Sequence, residues 1–507
     1  MAADPRTVSP GAVIARQDRI QVWSLPYLFV VVIGLGFLFT FYDIFDINVS
    51  FLQTCTQIVP GCLAGVPPGA TALPPGTFEA ADKLGLPVLW NLIGYVIGAL
   101  VLSPLADRYG RRDMLLVTMV ITGLGSLFTA FTNDYTTFIV ARTITGIGIG
   151  ADLAIVNTYI GEVAPRSGRA KYTSLIFIMS ALGAFLGIWL GLILTTPAAP
   201  FPLGLPFAQV PNPALSNPPG QFLGNGWRIM YVVGAALAII GVLLRVQLPE
   251  SPRWLVSRGR ITEADAVVRR MEARASRSGG VALPQAVDEV PVATTVSASA
   301  PFAALFANPR YLGRLVLLLL VWLTGYVTVY SFGAGFTTIL ASLGYPPPEA
   351  GLIVAVGVFG FIICAIFAYF FTERLERKLW LPIGAVLTLI GGVLIAAGGE
   401  FSSPTATPVV AFIGAMIVFF GFNIWVPATY AWSIESFPTR ARTTGFGIVD
   451  GIGHVGGGIG LLLIAPLLPN ISPLTAFLLI GGFLVVSAVI AQFGGATRGK
   501  RLDLVSP

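Results

Sequence analysis

Charged residues are scarce in this chain of 507 residues, where Asp, Glu, Lys and Arg together make up 11%. Apolar residues reach 55% and the mean hydropathy is +0.82, which leaves too little polar surface for a water-soluble globule. Histidine occurs once and cysteine three times, and these residues form no cluster with metal-ligand spacing. The sequence also contains no Walker A loop and no nucleophile elbow. We therefore expect neither an enzyme nor an ATP-driven machine, and no cofactor or metal.

Long apolar stretches, in contrast, are abundant. A helix that crosses a membrane needs about 20 mostly apolar residues, and twelve stretches of that kind are present. They cover 25–51, 86–106, 114–132, 135–161, 173–195, 227–248, 311–342, 350–372, 379–399, 407–433, 443–468 and 473–494. Proline-rich or charged breaks separate most of them. The sequence predicts an all-α membrane protein with twelve transmembrane helices.

The 30 Lys and Arg residues indicate the orientation of these helices. If the N-terminus is cytoplasmic, only Lys83 and Arg228 fall outside and Arg142 falls within a span. All other basic residues then lie on the cytoplasmic side, which is a strong positive-inside bias. Anionic lipids attract such residues, so the basic character requires no nucleic-acid partner. We expect a multi-pass protein of the plasma membrane with both termini in the cytoplasm.

Two charged motifs occur twice, which indicates an internal duplication. "DRYGRR" at 107–112 is matched by "ERLERK" at 373–378, and "EVAPRSGR" at 162–169 by "ESFPTRAR" at 435–442. The predicted division is a six-helix half at 1–248, a cytoplasmic linker with a short amphipathic helix at 249–309, and a second six-helix half at 310–507. Parallel six-helix halves that rock about a central site are typical of secondary transporters.

The repeated motifs predict a cytoplasmic gate, because charge-assisted bonds can form in one conformation and break in another. The alternative is that these charges only anchor tight turns among the lipid headgroups. Carboxylates recur in both copies and add little to topology, which favours the gate. Its predicted members are Asp107, Arg108, Arg111, Arg112, Glu162, Arg169, Glu373, Arg374, Arg377, Glu435, Arg440 and Arg442.

These motifs resemble those of the major facilitator superfamily. "SPLADRYGRR" is similar to its loop motif, and "RTITGIGIGADLAIVNTYIGEVAPRSGRAKYTS" and "PESPRWL" resemble segments of the sugar-porter and metabolite:proton-symporter branches. "GLGFLFTFYDIFDIN" resembles the first span of phosphate and organic-acid symporters, which implies that Asp43 is the proton-coupled carboxylate. Their fourth-span acid corresponds to Asp152. The resemblance implies twelve helices and alternating access.

The resemblance favours neither hexose nor phosphate as the substrate. Sugar porters carry Gln-Gln-x-x-Gly-x-Asn in span seven, whereas this chain reads "VWLTGYVTVYSFGAGF" there. The seventh-span acid of phosphate symporters is missing too, since 311–342 contains no Asp or Glu. His454 occupies the place of their eleventh-span lysine.

Ionisable residues inside the predicted spans are the candidates for proton coupling, because a charge at mid-membrane costs about 2.5–3.5 kcal/mol or more. Asp43 and Asp46 share one face of a helix, and two carboxylates so close cannot both ionise easily, so one should hold a proton. Alternatively, one of them faces an aqueous mouth. Arg142 is expected to pair with a span-one carboxylate or to lock the glycine-rich motif. Asp152 is expected to continue a proton path inward from Asp43. For both of these residues the alternative is a structural ion pair.

The candidate substrate contacts centre on His454, which follows Asp450 by one helical turn. A carboxylate at that spacing favours a protonated imidazole and makes the pair a proton-sensitive contact, although a lone histidine also serves as a packing residue. Further candidates to line a cavity, or else to pack, are Trp322, Tyr326, Tyr330, Asn423, Trp425 and Tyr430. Gly183, Gly187 and Gly191 have the spacing of close helix packing.

Together these patterns predict a proton-coupled symporter, driven by the proton gradient and acting as a monomer, for a small polar metabolite. An organic anion is the preferred substrate. A sugar or polyol porter, and a channel or uncoupled facilitator, are the alternatives. Cys55 and Cys62 share the first external loop and could form a disulfide or remain free thiols.

Overall fold

The computed structural model describes residues 9–59, 62, 80–165, 169–195, 225–279, 283, 300–345, 347–399, 405–438 and 441–498. Regular structure in these ranges is entirely helical. Twelve helices are long and apolar enough to cross a membrane, which confirms the predicted class and count. Numbered span 1 to span 12, they are Tyr27–Ile58, Lys83–Ala106, Arg111–Ala130, Tyr135–Ile160, Ser174–Thr195, Gly226–Arg245, Pro309–Gly333, Glu349–Phe371, Arg377–Gly398, Pro408–Glu435, Thr444–Asn470 and Pro473–Gln492.

Span 1 packs closely along span 5, as the spacing of three glycines predicts. A Cβ atom on Gly187 would lie 2.9 Å from the carbonyl oxygen of Tyr42 and 3.2 Å from the nitrogen of Asp46. Gly183 and Gly191 approach span 1 one turn to either side. A larger side chain at these positions would push the helices apart, and the residues of span 1 discussed below would move with them.

Two of the predicted apolar segments are interrupted by a break in the helix, which the sequence analysis did not predict. The single segment expected at 311–342 is a helix ending at Gly333 followed by a short helix, Phe336–Ser342. Span 10 consists of Pro408–Ile424 and Val426–Glu435. Pro427 lies just after that second break, and proline cannot donate the backbone hydrogen bond that would continue the ladder. Breaks leave backbone groups without helical partners, and inside a membrane these must be bonded elsewhere.

An N-terminal helix, Pro10–Asp18, packs against two helices of the linker, Pro252–Ser257 and Ile261–Gly279. Val13 and Ile14 join an apolar cluster with residues of both linker helices. Glu272 accepts hydrogen bonds from Arg16 and Arg19. We call these three helices the linker clasp, and the membrane side on which they lie the linker face.

The opposite side, the loop face, carries a disulfide between Cys55 and Cys62, whose Cα atoms are 5.8 Å apart. The sequence had left open whether these cysteines pair or remain free thiols, and in the structure they pair. The disulfide closes a short turn directly after span 1. Most residues that connect span 1 to span 2 and span 5 to span 6 lie outside the described residues.

Candidate functional site

Span 1 and span 4 meet in a buried group of charges, as the sequence predicted for Arg142. The Nη1 atom of Arg142 lies 3.0 Å from Oδ2 of Asp43, and Nη2 donates to the backbone oxygen of Asp43 at 2.8 Å. Asp46 is further away, with Oδ1 3.8 Å from the same Nη1 atom. All three side chains are at most 2% exposed. Two buried carboxylates therefore lie beside one guanidinium, which donates hydrogen bonds to Asp43 and not to Asp46.

The surrounding helices hold this group in place. Ser126 of span 3 donates to Asp43 at 3.4 Å, and Asn91 of span 2 donates to the backbone oxygen of Arg142 at 2.8 Å. The guanidinium also lies over the ring of Tyr231, 5.4 Å from its centroid. In contrast, neither carboxylate oxygen of Asp46 has a hydrogen-bond partner within the part of the chain that the structure describes.

Asp152 belongs to a second ion pair that the sequence analysis missed. Arg245 of span 6 donates to both carboxylate oxygens, with Nη2 3.0 Å from Oδ2, and Thr118 donates to Oδ1 at 2.9 Å. Arg245, expected at the membrane surface, is instead fully buried. These contacts match the alternative that the sequence analysis gave for Asp152, a structural ion pair. A role for Asp152 in a proton path stays a prediction.

His454 lies in a cluster of aromatic rings that joins the two halves of the bundle. Its ring stacks 4.1 Å from that of Tyr95 in span 2 and 4.0 Å from that of Tyr326 in span 7. The Nδ1 atom is 2.7 Å from the backbone oxygen of Asp450 and 3.5 Å from its Oδ1. Asp450 accepts hydrogen bonds from Tyr326 at 2.9 Å and from Tyr95 at 2.8 Å. The predicted neighbours thus meet, and Tyr95 joins them without having been predicted.

A cavity opens beside this cluster. It comprises about 480 Å³ of space between its lining residues, part of it open to solvent. It is lined by Phe41, Ile44, Phe45, Leu153, Phe177, Tyr326, Val329, Tyr330, Gly333, Asn423, Val426, Tyr430 and His454. Leu153, Phe177 and Tyr430 lie nearer the linker-face ends of their spans, whereas Tyr330 and Gly333 lie near the loop-face end of span 7.

The structure separates the predicted substrate contacts into two groups. Tyr326, Tyr330, Asn423, Tyr430 and His454 line the cavity. Asp450, Trp322 and Trp425 are not among its lining residues, and a substrate contact by these three stays a prediction. Trp322 and Trp425 are fully buried, with ring centroids 5.1 Å apart, and Trp322 donates to Ser433 at 3.0 Å. Trp322 packs against the rings of Tyr326 and Tyr430, and Trp425 packs against that of Tyr326.

The repeated charged motifs form equivalent ion pairs in the two halves. Arg111 bonds Glu162 at 3.1 Å, and Arg377 bonds Glu435 at the same distance. Glu373 also pairs with Arg377, at 3.0 Å. These three ion pairs each lie within one half.

Three of the remaining predicted gate residues have described side chains. Arg112 donates to the backbone oxygen of Val246 at 2.8 Å, while Arg108 and Arg374 lie over neighbouring aromatic rings. Arg440 and the side chains of Asp107, Arg169 and Arg442 lie outside the described residues. A gating role for the motifs stays a prediction.

Glu250 is a member of this network that the sequence did not indicate. Its carboxylate accepts backbone hydrogen bonds from Arg111 at 3.1 Å and Arg112 at 3.2 Å. Burial raises the pKa of Glu250, although the backbone N–H groups of Ser251, Arg112 and Arg111 oppose the shift. The N-terminus of span 3 is thereby held to the end of span 6.

Asn48 makes the most extensive hydrogen bonding between the halves within the described chain. Its Nδ2 atom donates to the backbone oxygens of Phe332 at 2.9 Å and Gly333 at 2.6 Å. Its Oδ1 atom accepts from the backbone nitrogen of Thr337 at 3.0 Å and from its hydroxyl at 2.8 Å. The amide satisfies backbone groups that the break after span 7 leaves free. Asn48 lies in the loop-face half of span 1, and Gly333 ends span 7 on the loop-face side.

Comparisons with known proteins agree with this architecture. Residues 25–506 match the family model described as sugar (and other) transporter. The chain is 27% identical over 496 residues to the putative metabolite transport protein YyaJ of Bacillus subtilis, covering 96% of both chains. It is 25% identical to the niacin transporter NiaP of Acinetobacter baylyi, covering 97% of this chain and 99% of that one.

Among solved structures, a partially occluded inward-open form of the xylose transporter XylE from E. coli has the same fold. The TM-score is 0.64 at 19% identity, with 94% of this chain and 99% of that chain covered. Since the family model spans nearly the whole sequence, the chain belongs to the sugar (and other) transporter family of the major facilitator superfamily.

Proposed function

We propose that the protein is a proton-coupled symporter that moves a small organic anion with a flat ring across the plasma membrane. Its halves, 1–248 and 310–507, rock about the central cavity, and the linker face is cytoplasmic. The observation that carries the proposal is the position of span 1. Ile44 and Phe45 of this helix line the cavity, while Asp43 and Asp46 reach Arg142 on its other side.

Span 1 therefore offers a route from ligand binding to protonation. A ligand that presses on Ile44 or Phe45 changes the rotation or tilt of the helix. The same movement changes the distances of Asp43 and Asp46 from Arg142, which stand at 3.0 and 3.8 Å. Because the preferred protonation state depends on these distances, binding and proton transfer are linked.

The cavity lining favours a flat ring over a sugar. Phe41, Phe45 and Phe177 contribute apolar ring surface, and stacked or edge-on rings attract one another beyond simple burial. The polar groups are few and partly engaged, since the hydroxyls of Tyr326 and Tyr430 lie 3.2 Å apart and Asn423 donates to its own helix. A sugar presents several hydroxyls, and each one left unbonded in this cavity would cost binding energy.

His454 supplies the contact for an anionic group. Its Nδ1 atom is directed to Asp450, which leaves Nε2 for a ligand. A carboxylate at Nε2 stabilises the protonated ring, and Asp450 stabilises it from the other side. The niacin transporter among the relatives takes, by its name, a ring compound.

A sugar or polyol is the second candidate, supported by the family description and by the fold shared with a xylose transporter. Uncoupled facilitated transport of either substrate is the third candidate function. The three candidate functions differ in which solute is transported and in whether a proton gradient drives the transport.

The test is uptake of radiolabelled nicotinate, benzoate and D-xylose into liposomes containing the purified protein, with an inward proton gradient. We expect accumulation of an aromatic acid that an uncoupler abolishes, and no accumulation of xylose. His454→Phe should lower acid uptake about tenfold or more, the loss of one charged hydrogen bond. Protein-free liposomes measure passive entry of the acid. Xylose accumulation, or acid uptake that ignores the gradient, would contradict the proposal.

A further inference from the structure

Asp46 stands out among the buried charged groups because its carboxylate lacks hydrogen bonds. It is 0% exposed, and neither oxygen has a hydrogen-bond donor of normal distance and angle among the residues that the structure describes; the backbone N–H of Ile47 is its weakest source of stabilisation. The nearest cationic atom is Nη1 of Arg142 at 3.8 Å, beyond the usual range of a hydrogen bond. An ionised carboxylate in such a place is strongly disfavoured unless its charge is compensated.

Arg142 does not provide that compensation, because it is engaged with Asp43. One of its nitrogens binds the carboxylate of Asp43 and another binds the backbone oxygen of the same residue. Asp43 receives a further hydrogen bond from Ser126. The pair of Asp43 and Arg142 is neutral as a unit, so an ionised Asp46 would leave one uncompensated negative charge.

We propose that Asp46 is the residue that holds the transported proton, and that Asp43 is a positioning residue that keeps Arg142 beside it. With Asp46 protonated, the three side chains carry no net charge. The assignment of the proton to Asp46 is made from this geometry alone, while its transport rests on the function proposed above. The other titratable groups that interact with Asp46 are the phenols of Tyr42 on span 1 and Tyr231 on span 6.

The proton step is a reversible transfer between water and one carboxylate oxygen. On one side of the membrane, a proton from water forms the O–H bond of Asp46. On the other side, that bond breaks and the proton returns to water, which leaves the carboxylate ionised. Nη1 of Arg142 then needs to approach by less than about 1 Å to form a hydrogen bond of normal length. Span 5 presents Gly187 at this point, so span 1 can slide past it without a side chain in the way.

Infrared difference spectroscopy on the purified full-length protein tests the protonation state without any ligand. A protonated buried carboxyl group has a carbonyl absorption distinct from that of a carboxylate. We expect this band at neutral pH in the wild-type protein and its loss in Asp46→Asn. Asp43→Asn does not discriminate, because Arg142 without the charge of Asp43 would favour an ionised Asp46. The discriminating variants are Asp46→Glu, which should shift the frequency of the band, and Asp43→Glu, which should leave it in place. The opposite pattern, or a wild-type protein without the band, would overturn the assignment, and size-exclusion profiles establish that each variant is folded.

Transport provides the second readout, with nicotinate as the probe. The amide introduced by Asp46→Asn mimics a permanently neutral carboxyl group, so this variant should still exchange external for internal nicotinate but lose at least tenfold in gradient-driven accumulation. Accumulation as in the wild type would overturn the proposal. If the wild-type protein moves no nicotinate, the proposed function fails for this probe, while the infrared result still decides where the proton resides.

Discussion

Replacing Asn48 by alanine should shift the protein towards conformations that are open at the loop face. The four hydrogen bonds of this amide connect span 1 to both sides of the break after span 7. A net value of about 0.5–1.5 kcal/mol for each sums to about 2 kcal/mol at the low end. This corresponds to a change of about 30-fold in the equilibrium between closed and open states. Water can reach the freed backbone groups only in the open state, which sets the direction of the shift.

The distance between spin labels on the two halves reports this opening. Asn133, at the start of span 4, and Asn470, at the end of span 11, are both exposed at the loop face. Labels introduced at these two positions should show a longer and broader distance distribution in Asn48→Ala than in the unsubstituted protein. Removing only the hydroxyl bond with Thr337→Val should give a smaller change in the same direction.

Asn91→Ala is the matched control, because it removes a buried amide whose hydrogen bond to Arg142 lies within one half. It should leave the distance between the labels unchanged. If Asn48→Ala also leaves it unchanged, or shortens it, the contact of Asn48 with span 7 does not hold the loop face closed.

Two further predictions concern the ion pairs outside the coupling group. Arg245→Leu leaves the charge of Asp152 buried alone and should lower the free energy of unfolding by about 3–5 kcal/mol. Combining it with Asp152→Leu should recover most of the thermal stability measured in detergent. Equal losses of stability in the single and double variants would exclude an ion pair. In the linker clasp, burial acts to raise the pKa of Glu272, but bonds from Arg16 and Arg19 lower it by more, below its usual 4.5. A carboxylate with a lowered pKa stabilises the fold above its unfolded pKa and loses this contribution as pH falls through the folded value. The protection factors of residues 10–18, which correct for slower intrinsic exchange in acid, should therefore be high at neutral pH and fall below about pH 4.5. Unchanged protection factors in acid would contradict this reading.

The helical architecture followed from the sequence because lipid imposes a direct constraint on composition. Twelve apolar runs of sufficient length predicted twelve spans, and the structure has them. The pairing of Arg142 with span 1 was also expected, since a buried cation needs a partner and few carboxylates lie at a suitable depth. The glycines of span 5 predicted its close contact with span 1, because small residues allow helices to approach.

Features that depend on contacts distant in sequence could not be predicted. Arg245 lies near the end of a hydrophobic run, where a basic residue ordinarily reaches the surface, and its partner is 93 residues away. Tyr95 is one aromatic residue in an apolar segment, and only the packing of span 2 against span 11 shows that it bonds Asp450. The break after span 7 occurs at glycines that would serve equally well for helix packing. Whether Cys55 and Cys62 pair depends on a turn geometry that their spacing does not determine.

Proton movement that accompanies a solute tests the central claim most directly. Liposomes containing the purified protein and a luminal pH indicator, prepared without any initial gradient, are supplied with nicotinate or benzoate on the outside. The account predicts acidification of the lumen that is faster than in protein-free liposomes and is lost in Asp46→Asn. Entry of the labelled acid through the protein with no change in luminal pH beyond that of protein-free liposomes would contradict it.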